Sequence, residues 1–378
     1  MLDHHRPEGN LVKISRVGAT VAAATALVLG LSACSNSSQS GATASKSSGT
    51  LTGTLSGGGS SAQESAMTAW TDGFKGAQPG VAVQYNPVGS GAGRTGFLNG
   101  QYMFAGSDAA LKADEWEKSK SICGTDGAIN IPVYISPIAV AYNLPSVKEN
   151  IKMDADTIAK VFAGKITTWN DPAIADQNSG VTLPSTKITV VHRADDSGTT
   201  QNFTDYLNQA APSTWSDKAA QTWPAKYTGQ ESAQQTTGVV SLTQSTEGAI
   251  TYADASAVGS LGTVAVKVGD NYVKYSPEAS AKTVAAAKKV GGEAPGDMAV
   301  KIDRTSKDSS TYPVVLLSYQ VFCTTYKDKA TADVAKAFGT YVVSADGQKA
   351  AHDAAGSAPL DPATQKEAAA AIAAIKSA

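Results

Sequence analysis

Histidine is scarce in this sequence, whose 378 residues include only four histidines. His4 and His5 lie near the N-terminus, which leaves His192 and His352 for the rest of the chain. We therefore expect no histidine-rich metal site, no catalytic array built on several histidines and no cofactor. A G-x-S-x-G elbow and a G-x-x-x-x-G-K-[ST] segment are also missing. The sequence thus predicts neither an α/β-hydrolase nucleophile nor a loop for a nucleotide triphosphate.

Positive charge is not in excess either, because 31 lysines and arginines face 33 aspartates and glutamates, for a formal net charge of −2. Such a balance offers no basic field for nucleic acid. The chain is 42% hydrophobic and 17% charged, which is typical of soluble globular proteins. At about 150 residues per domain, its length favours two globular units.

The apolar stretch at residues 17–31 is too short for a comfortable transmembrane helix. It follows Lys13 and Arg16 and has the layout of a signal peptide. Residues 31–34, Leu-Ser-Ala-Cys, resemble a bacterial lipobox. That resemblance implies removal of residues 1–33 and a lipid (palmitate) anchor at Cys34, on the extracytoplasmic face of the cell membrane. An ordinary signal peptide that contains a cysteine is the alternative.

A tether is expected after this segment, because residues 34–50 are rich in serine, glycine and threonine and lack an apolar period. The folded part begins near Leu51. Two of the three cysteines, Cys123 and Cys323, lie in it. Export predicts an oxidising compartment in which these two pair. Two unpaired buried thiols are the alternative, because a sequence does not show whether two Cα atoms come close enough for a disulfide.

Short β-type runs alternate with helical stretches along the folded part, which predicts an α/β fold. Strands are predicted at residues 51–56, 81–85, 129–134, 138–142, 188–191, 250–252 and 314–323, and helices at 63–74, 95–99, 156–163, 199–211, 280–290, 331–343 and the alanine-rich end. Two apolar runs, at residues 129–145 and 312–326, exceed ordinary strand length. Each is either a strand pair or a strand that passes between two domains, and the second interpretation gives a two-strand hinge.

Four stretches of small residues carry the candidate chemistry. They are LSGGGSSAQ (55–63), VGSGAGRTG (88–96), FAGSDAAL (104–111) and HRADDSGTT (192–200). Glycines let the backbone approach a ligand, hydroxyls supply donors, and a helix N-terminus attracts anions. The third stretch adds the carboxylate of Asp108 and the fourth adds the guanidinium of Arg193. Strand-to-helix loops converge at one edge of an open α/β sheet, so the four together indicate a site for a small oxyanion.

At these residues the sequence resembles the phosphate-binding lipoproteins of bacterial phosphate ABC transporters, the PstS family. The resemblance extends over most of the folded part, through LSGGGSSAQESAMTAW, VGSGAG, FAGSDAAL, GKITTWNDPAI, ITVVHRADDSGTTQNFTDYL and GAITYADA. It implies a type II periplasmic-binding-protein fold, in which two α/β lobes joined by a two-strand hinge close on one phosphate. Lobe I is expected at residues 51–135 and 316–378, and lobe II at residues 136–315.

Carried over by position, the resemblance implies a phosphate shell of Ser61, Ala62 through its N–H, Ser90, Asp108, Arg193, Ser197, Gly198 and Thr199. Asp195 is expected to pair with Arg193 and to hold its guanidinium in bidentate geometry. Asp108 is expected to accept the proton of the ligand. A carboxylate only accepts hydrogen bonds, so it favours phosphate, which keeps a proton near neutral pH, over sulfate, which has none. Judged without the resemblance, Asp108 is as well suited to cap the following helix.

Three residues stand out against the family pattern. Ala62 occupies a position where the family often has an aromatic residue. Asp196 replaces a common glycine and adds negative charge near the anion, unless it caps the helix and points to solvent. Arg94 is either a second cation near the site or, as is more usual for arginine, a solvated surface residue.

The sequence therefore predicts a non-enzymatic, monomeric, lipid-anchored receptor that captures phosphate for a membrane permease. A secreted phosphohydrolase and an adhesin or signalling lipoprotein on the same fold are the alternatives. The scarcity of histidine argues against the first, and the presence of the loop donors argues against the second. The segment GAGRTG (91–96) also matches G-x-G-x-x-G, but no second motif supports a dinucleotide site.

Overall fold

Strands and helices alternate along the folded part of the chain, as the sequence predicts. The computed structural model describes residues 51–290 and 294–378. The predicted signal peptide (1–33), tether (34–50) and lipidation site at Cys34 lie outside the described residues. Within them, no helix combines the length and the apolar character needed to cross a bilayer.

The strands are β1 (Gly53–Gly59), β2 (Val81–Asn86), β3 (Phe104–Ser107), β4 (Ala128–Tyr142), β5 (Lys152–Met153), β6 (Thr189–Arg193), β7 (Glu231–Ala233), β8 (Ala249–Asp254), β9 (Gly262–Thr263), β10 (Ala265–Val268), β11 (Asn271–Val273), β12 (Lys288–Lys289), β13 (Val300–Lys301), β14 (Val315–Cys323), β15 (Thr325–Tyr326) and β16 (Lys376–Ser377). The helices are α1 (Glu64–Ala77), α2 (Ser90–Leu98), α3 (Ala113–Cys123), α4 (Ala155–Phe162), α5 (Pro172–Ala175), α6 (Gly198–Ala210), α7 (Gln235–Ser245), α8 (Pro277–Ala285), α9 (Lys329–Val343), α10 (Ala345–Ala355) and α11 (Pro362–Ala373).

The main sheet follows the strand order β2-β1-β3-β14-β4-β8-β6-β7, and β9 also pairs with β4. On one side, β1 is parallel to β2 and β3. On the other side, β6 is parallel to β7 and β8. Between these two groups, β14 runs antiparallel to β3 and β4, and β4 runs antiparallel to β8. Two long strands therefore join the two parallel groups.

The strand β4 spans 15 residues, and all of them are buried. Residues 128–137 pair with β14, whereas residues 138–142 pair with β8. The ladder with β14 shifts register between Ser318 and Tyr319, opposite Pro132, which has no N–H to donate. The apolar run at residues 129–145 is thus one strand that passes between the two groups, and the two separate strands predicted there are joined. The lobe boundaries at residues 135 and 315 stay a prediction, because the described residues belong to one compact unit.

The helix α2 begins earlier than the sequence predicts, at Ser90 instead of Thr95. The glycines of GAGRTG are therefore helical. They let the helix pack directly on β1, since a Cβ added at Gly93 would lie 2.3 Å from the Cα of Gly59.

The helix α8 also differs from the prediction of a helix over residues 280–290. Ser276 caps it by accepting the N–H of Ala279, so the helix begins at Pro277. It ends at Ala285, and residues 288–289 form β12 instead.

Cys123 and Cys323 form a disulfide, with their Cα atoms 4.6 Å apart. Cys123 is the last residue of α3 and Cys323 is the last residue of β14. The predicted pairing is confirmed, and the alternative of two unpaired thiols is wrong.

Candidate functional site

The four small-residue loops meet at one carboxylate. They follow the carboxyl ends of β1, β2, β3 and β6, where the loops of an open α/β sheet converge. The hydroxyls of Ser60, Ser90 and Thr199 come from the first, second and fourth loops, and all three donate hydrogen bonds to Asp108 in the third loop. The convergence predicted from the sequence is therefore present.

Asp108 is almost fully buried, and its two carboxylate oxygens differ in their contacts. Oδ1 accepts short hydrogen bonds from Ser60 Oγ at 2.5 Å and from Ser318 Oγ at 2.6 Å. Oδ2 has longer contacts, 3.4 Å to Ser90 Oγ and 3.3 Å to Thr199 Oγ1. Oδ1 is thus held firmly by the protein, and Oδ2 is the oxygen better placed to accept a further donor.

Asp108 does not cap the following helix. That helix, α3, begins at Ala113, and its capping residue is Lys112. The alternative role weighed from the sequence is therefore wrong.

Arg193 and Asp195 form the expected bidentate pair. Arg193 Nε donates to Asp195 Oδ1 at 2.7 Å, and Nη2 donates to Oδ2. Asp195 Oδ1 also accepts the N–H of Gln235 at 2.9 Å. Burial by itself raises the pKa of Asp195, but the hydrogen bond and charge of Arg193, together with backbone N–H donors such as that of Gln235, leave the pKa below its ordinary value. Asp195 is therefore a carboxylate that orients the guanidinium, and among the described residues no hydrogen bond engages Nη1.

The helix α6 begins at this same point. Ser197 caps it, accepting the N–H of Thr200 on its Oγ at 3.1 Å. The first N–H groups of a helix lack intrahelical partners and attract anions. Gly198 lies so close to the carboxylate loop that an added Cβ would be 2.6 Å from the Cβ of Asp108 and 2.7 Å from Ser90 Oγ. Only glycine fits there without moving its neighbours.

Ser61 and Ala62 lie in the first loop, as predicted, but their donors have partners within the protein. Ser61 Oγ lies 3.0 Å from Thr236 Oγ1 and accepts the N–H of Thr236 at 3.1 Å. The N–H of Ala62 donates to Ser60 Oγ at 3.1 Å. Thr236, on α7, thereby connects the first loop to the group of strands β6, β7 and β8. The ligand roles expected for Ser61 and Ala62 stay predictions.

Asp196 does not cap α6, because Ser197 does. Its exposed side chain accepts a hydrogen bond from Thr222 Oγ1 at 2.7 Å. Its backbone carbonyl accepts the N–H of Gly91 at 3.0 Å. The additional negative charge is therefore engaged with a threonine at the surface.

Arg94 is not a solvated surface residue, and that expectation is wrong. Its side chain is 2% exposed and makes two hydrogen bonds to Glu115 at 3.0 and 3.1 Å. Two further hydrogen bonds, each 3.0 Å long, reach Ser107 Oγ and Gln221 Oε1. The expectation rested on the usual exposure of arginine, and the partners Glu115 and Gln221 come from other segments of the chain.

The sequence analysis also missed Ser318, Asn202 and the contact of Ser60 with Asp108. Asn202 Nδ2 donates to the backbone carbonyl of Asp108 at 2.7 Å. Ser318 lies 210 positions from Asp108 in the chain. One signal was available for it, because Ser318 and Gln320 are the polar residues that interrupt the apolar segment 313–323. Within the described ranges, no group of three or more histidine, cysteine, aspartate or glutamate side chains is arranged to hold a metal ion.

Comparisons with known proteins find relatives along almost the whole chain. A family model described as a PBP superfamily domain matches residues 44–346. Phosphate-binding protein PstS 2 of Mycobacterium tuberculosis is 36% identical over 377 residues, which cover 96% of this chain and 100% of that protein. Phosphate-binding protein PstS 3 of the same organism is 36% identical over 340 residues, which cover 86% of this chain and 90% of the relative.

Solved structures share the fold. A high-affinity periplasmic phosphate-binding protein bound with phosphate superposes with a TM-score of 0.67 at 23% identity, covering 84% of this chain and 93% of the other. A candidate substrate-binding protein of a phosphate ABC transporter from Clostridium perfringens, also with bound phosphate, superposes with a TM-score of 0.58 at 20% identity, covering 80% of this chain and 98% of the other.

Proposed function

The chain belongs to the PstS family of phosphate-binding proteins within the PBP superfamily, and from that membership we propose that it captures inorganic phosphate for import. Its mixed α/β fold is that of a two-lobe periplasmic binding protein. The relatives named above are binding proteins, and no contact among the described residues favours a phosphohydrolase or an adhesin.

The surroundings of Asp108 carry this proposal. A buried carboxylate repels a fully ionised oxyanion but accepts a hydrogen bond from one that still bears a proton. Hydroxyls hold Oδ1, so the carboxylate is oriented before the ligand arrives, and Oδ2 is available to accept the phosphate proton. Sulfate has no proton at neutral pH and would place its charge against that of Asp108. The site therefore selects phosphate over sulfate.

The remaining shell supplies donors. Arg193, oriented by Asp195, presents Nη1 to the anion, and the N-terminus of α6 adds the donors of Ser197, Gly198 and Thr199. Ser90, at the start of α2, adds a hydroxyl close to Asp108. Ser61 and the N–H of Ala62 complete the shell once the ligand replaces their present partners, Thr236 and Ser60.

Catalysis is not part of the proposed role. His192 lies next to Arg193, but its ring stacks on Trp223 with centroids 5.2 Å apart, and its Nδ1 contacts the carbonyl of Arg193. Burial lowers the pKa of His192, and the backbone hydrogen bond only partly opposes this effect. The residue therefore packs as a neutral aromatic ring and is not positioned as a general base for phosphate chemistry.

The mature protein is proposed to be a monomer that is held on the extracytoplasmic face of the membrane by a lipid at Cys34. There it delivers phosphate to the permease of an ABC transporter. The lipobox-like residues 31–34 and the tether-like composition of residues 34–50 support the anchor. The structural neighbour from Clostridium perfringens, a candidate substrate-binding protein of a phosphate ABC transporter, supports the permease partner.

Isothermal titration calorimetry on the folded chain, freed of bound anions, tests the function. We expect a one-to-one exotherm with phosphate near neutral pH, and no saturable heat with sulfate at the same concentrations. A parallel assay with p-nitrophenyl phosphate is expected to release no nitrophenol. Absence of phosphate binding, or equal affinities for the two anions, would contradict the proposed function.

A further inference from the structure

Arg94 is a buried arginine that the proposed phosphate shell does not use. Its pairing partner Glu115, on α3, accepts hydrogen bonds from Nε and Nη2. Glu115 also accepts the N–H of Lys112 at 2.9 Å, so the carboxylate itself is anchored on α3. The plane of the guanidinium is consequently fixed. Its remaining N–H groups, on Nη1 and Nη2, therefore point in fixed directions.

One of these donors reaches the loop that carries Asp108. Arg94 Nη1 donates to Ser107 Oγ at 3.0 Å, and the Ser107 hydroxyl donates to the carbonyl of Ala109 at 2.6 Å. Ser107 and Ala109 are the neighbours of Asp108 in the sequence. Through this pair of hydrogen bonds, Arg94 stabilises the turn in which Asp108 lies.

The other donor reaches the opposite side of the site. Arg94 Nη2 donates to Gln221 Oε1 at 3.0 Å, and the backbone carbonyl of Gln221 accepts the N–H of Ser197 at 3.1 Å. Gln221 is buried, and its Nε2 has no hydrogen-bond partner among the described residues. Arg94 and Gln221 lie 127 positions apart in the chain, in the predicted lobe I and lobe II respectively.

The backbone segments next to this contact, at Gly91 and Asp196, also lie close together. The N–H of Gly91 donates to the carbonyl of Asp196, and a Cβ added at Gly91 would lie 2.5 Å from the Cβ of Asp196 and 3.0 Å from Gln221 Oε1. The start of α2 and the turn before α6 thus approach each other without space for a side chain.

We propose that the hydrogen bond between Arg94 and Gln221 is a latch. It keeps the loop of Asp108 (residues 104–111) and the turn that contains Ser197 together when the cleft between the two predicted lobes is closed. Neither side chain is assigned a contact with the ligand, so the latch acts by positioning. If the two predicted lobes move apart, Arg94 and Gln221 separate with them, so the bond favours closure without ligand and slows ligand release. The effect on release rests on the proposed function, whereas the effect on closure does not.

Gln221→Leu tests the latch, because leucine is similar in size and retains the backbone carbonyl that holds Ser197. Loss of a hydrogen bond from a charged donor is expected to raise the phosphate dissociation rate about tenfold. The association rate should stay within about twofold, since the latch forms after encounter. Stopped-flow fluorescence measures both rates. Gln177→Leu is the matched control, because Gln177 makes its hydrogen bonds with residues 154, 157, 173 and 272, away from the cleft.

Small-angle X-ray scattering of the ligand-free proteins supplies a second readout. The latch predicts a larger radius of gyration for Gln221→Leu than for the unsubstituted chain and for Gln177→Leu. An unchanged dissociation rate together with an unchanged radius would overturn the latch, even if phosphate binds tightly. If phosphate does not bind at all, the proposed function fails, and the scattering comparison alone then decides whether the latch exists.

Discussion

At the scale of single residues, two carboxylates of the site have opposite roles. Asp195 is bound to a guanidinium, so its charge is neutralised within the protein. Asp108 has only hydroxyl partners on its side chain, and the short hydrogen bonds from Ser60 and Ser318 orient one oxygen. Hydroxyl donors lower the cost of burying the charge without cancelling it. In the proposed function, this uncancelled charge distinguishes a protonated anion from an unprotonated one.

Replacing Asp108 by asparagine should preserve the fold but remove this distinction. The amide oxygen still accepts the hydrogen bonds of Ser60 and Ser318, whereas the amide nitrogen now donates toward the ligand. We expect phosphate affinity to fall about tenfold to a hundredfold and sulfate affinity to rise. Competitive calorimetry of Asp108→Asn with both anions measures the ratio.

Asp196→Asn is the control for Asp108→Asn, because it removes a negative charge from the neighbouring loop at an exposed position. Its ratio of phosphate to sulfate affinity is expected to stay near that of the unsubstituted protein. A preserved ratio in Asp108→Asn would show that discrimination arises elsewhere.

At the scale of elements, the strand β8 carries a second buried carboxylate beside β4. Asp254 ends β8 and pairs with Ile138 of β4. Its Oδ1 accepts hydrogen bonds from Tyr134 Oη at 3.1 Å and from Ser256 Oγ at 2.6 Å, whereas Oδ2 has no partner among the described residues. Burial raises the pKa of Asp254 from 3.8 to about 6, against the opposing hydrogen bonds of Ser256 and Tyr134.

This raised pKa predicts a dependence of stability on pH. Between the two pKa values the unfolded chain ionises while the folded chain keeps its proton, so stability falls as pH rises, and the loss is complete above the folded pKa. The difference from 3.8 to about 6 corresponds to about 3 kcal/mol. Asp254→Asn removes this titration. The free energy of unfolding of the variant, relative to the unsubstituted chain, should therefore rise by up to about 3 kcal/mol from about pH 4 to about pH 8.

Urea unfolding of both proteins across this pH range measures the effect of Asp254. If the buried amide of the variant lowers the free energy of unfolding by a constant amount, that amount cancels when values at different pH are compared. A relative stability that does not change with pH would mean that Asp254 ionises as freely in the folded protein as in the unfolded chain.

At the scale of the whole molecule, a single covalent link closes a long stretch of chain. Cys123 and Cys323 are separated by 200 positions, and the loop between them contains β4 and most of the strands on the far side of the sheet. The C-terminal strand β16 pairs with β15, which directly follows the disulfide. The bond therefore limits the freedom of more than half of the folded part when it unfolds.

Removing the disulfide should lower stability through the unfolded state. In the chain-entropy description, closing a loop of this length contributes about 5 kcal/mol, and measured effects are about 2–5 kcal/mol. We expect the double variant Cys123→Ala, Cys323→Ala to lose an amount in this range in urea unfolding, with its phosphate affinity retained. The unsubstituted protein under reducing conditions is the control and should match the variant. A loss below about 0.5 kcal/mol would indicate a strongly structured unfolded state.

Much of the local structure was predictable because it depends on neighbouring residues. The β-branched run in β6 was predicted from a few neighbouring positions, whereas the cap of α6 was assigned to Asp196 as one alternative and is Ser197 in the structure. The start of α2 was not predicted, because its glycines read as a turn until β1 packs against them. Arg94 was expected at the surface because arginine is usually solvated, whereas the partners that bury it, Glu115 and Gln221, come from distant segments.

The sequence by itself determined the α/β alternation and the glycine- and hydroxyl-rich composition of the four loops, because each depends on residues that are close in the chain. The family resemblance added the pairing of Arg193 with Asp195, which the structure contains. Only the tertiary structure decided that β4 is one continuous strand, that Ser318 holds Asp108 and that Arg94 reaches Gln221. These outcomes depend on which segments burial brings together, and a hydrogen bond across 127 or 210 positions leaves no local pattern that identifies its two partners.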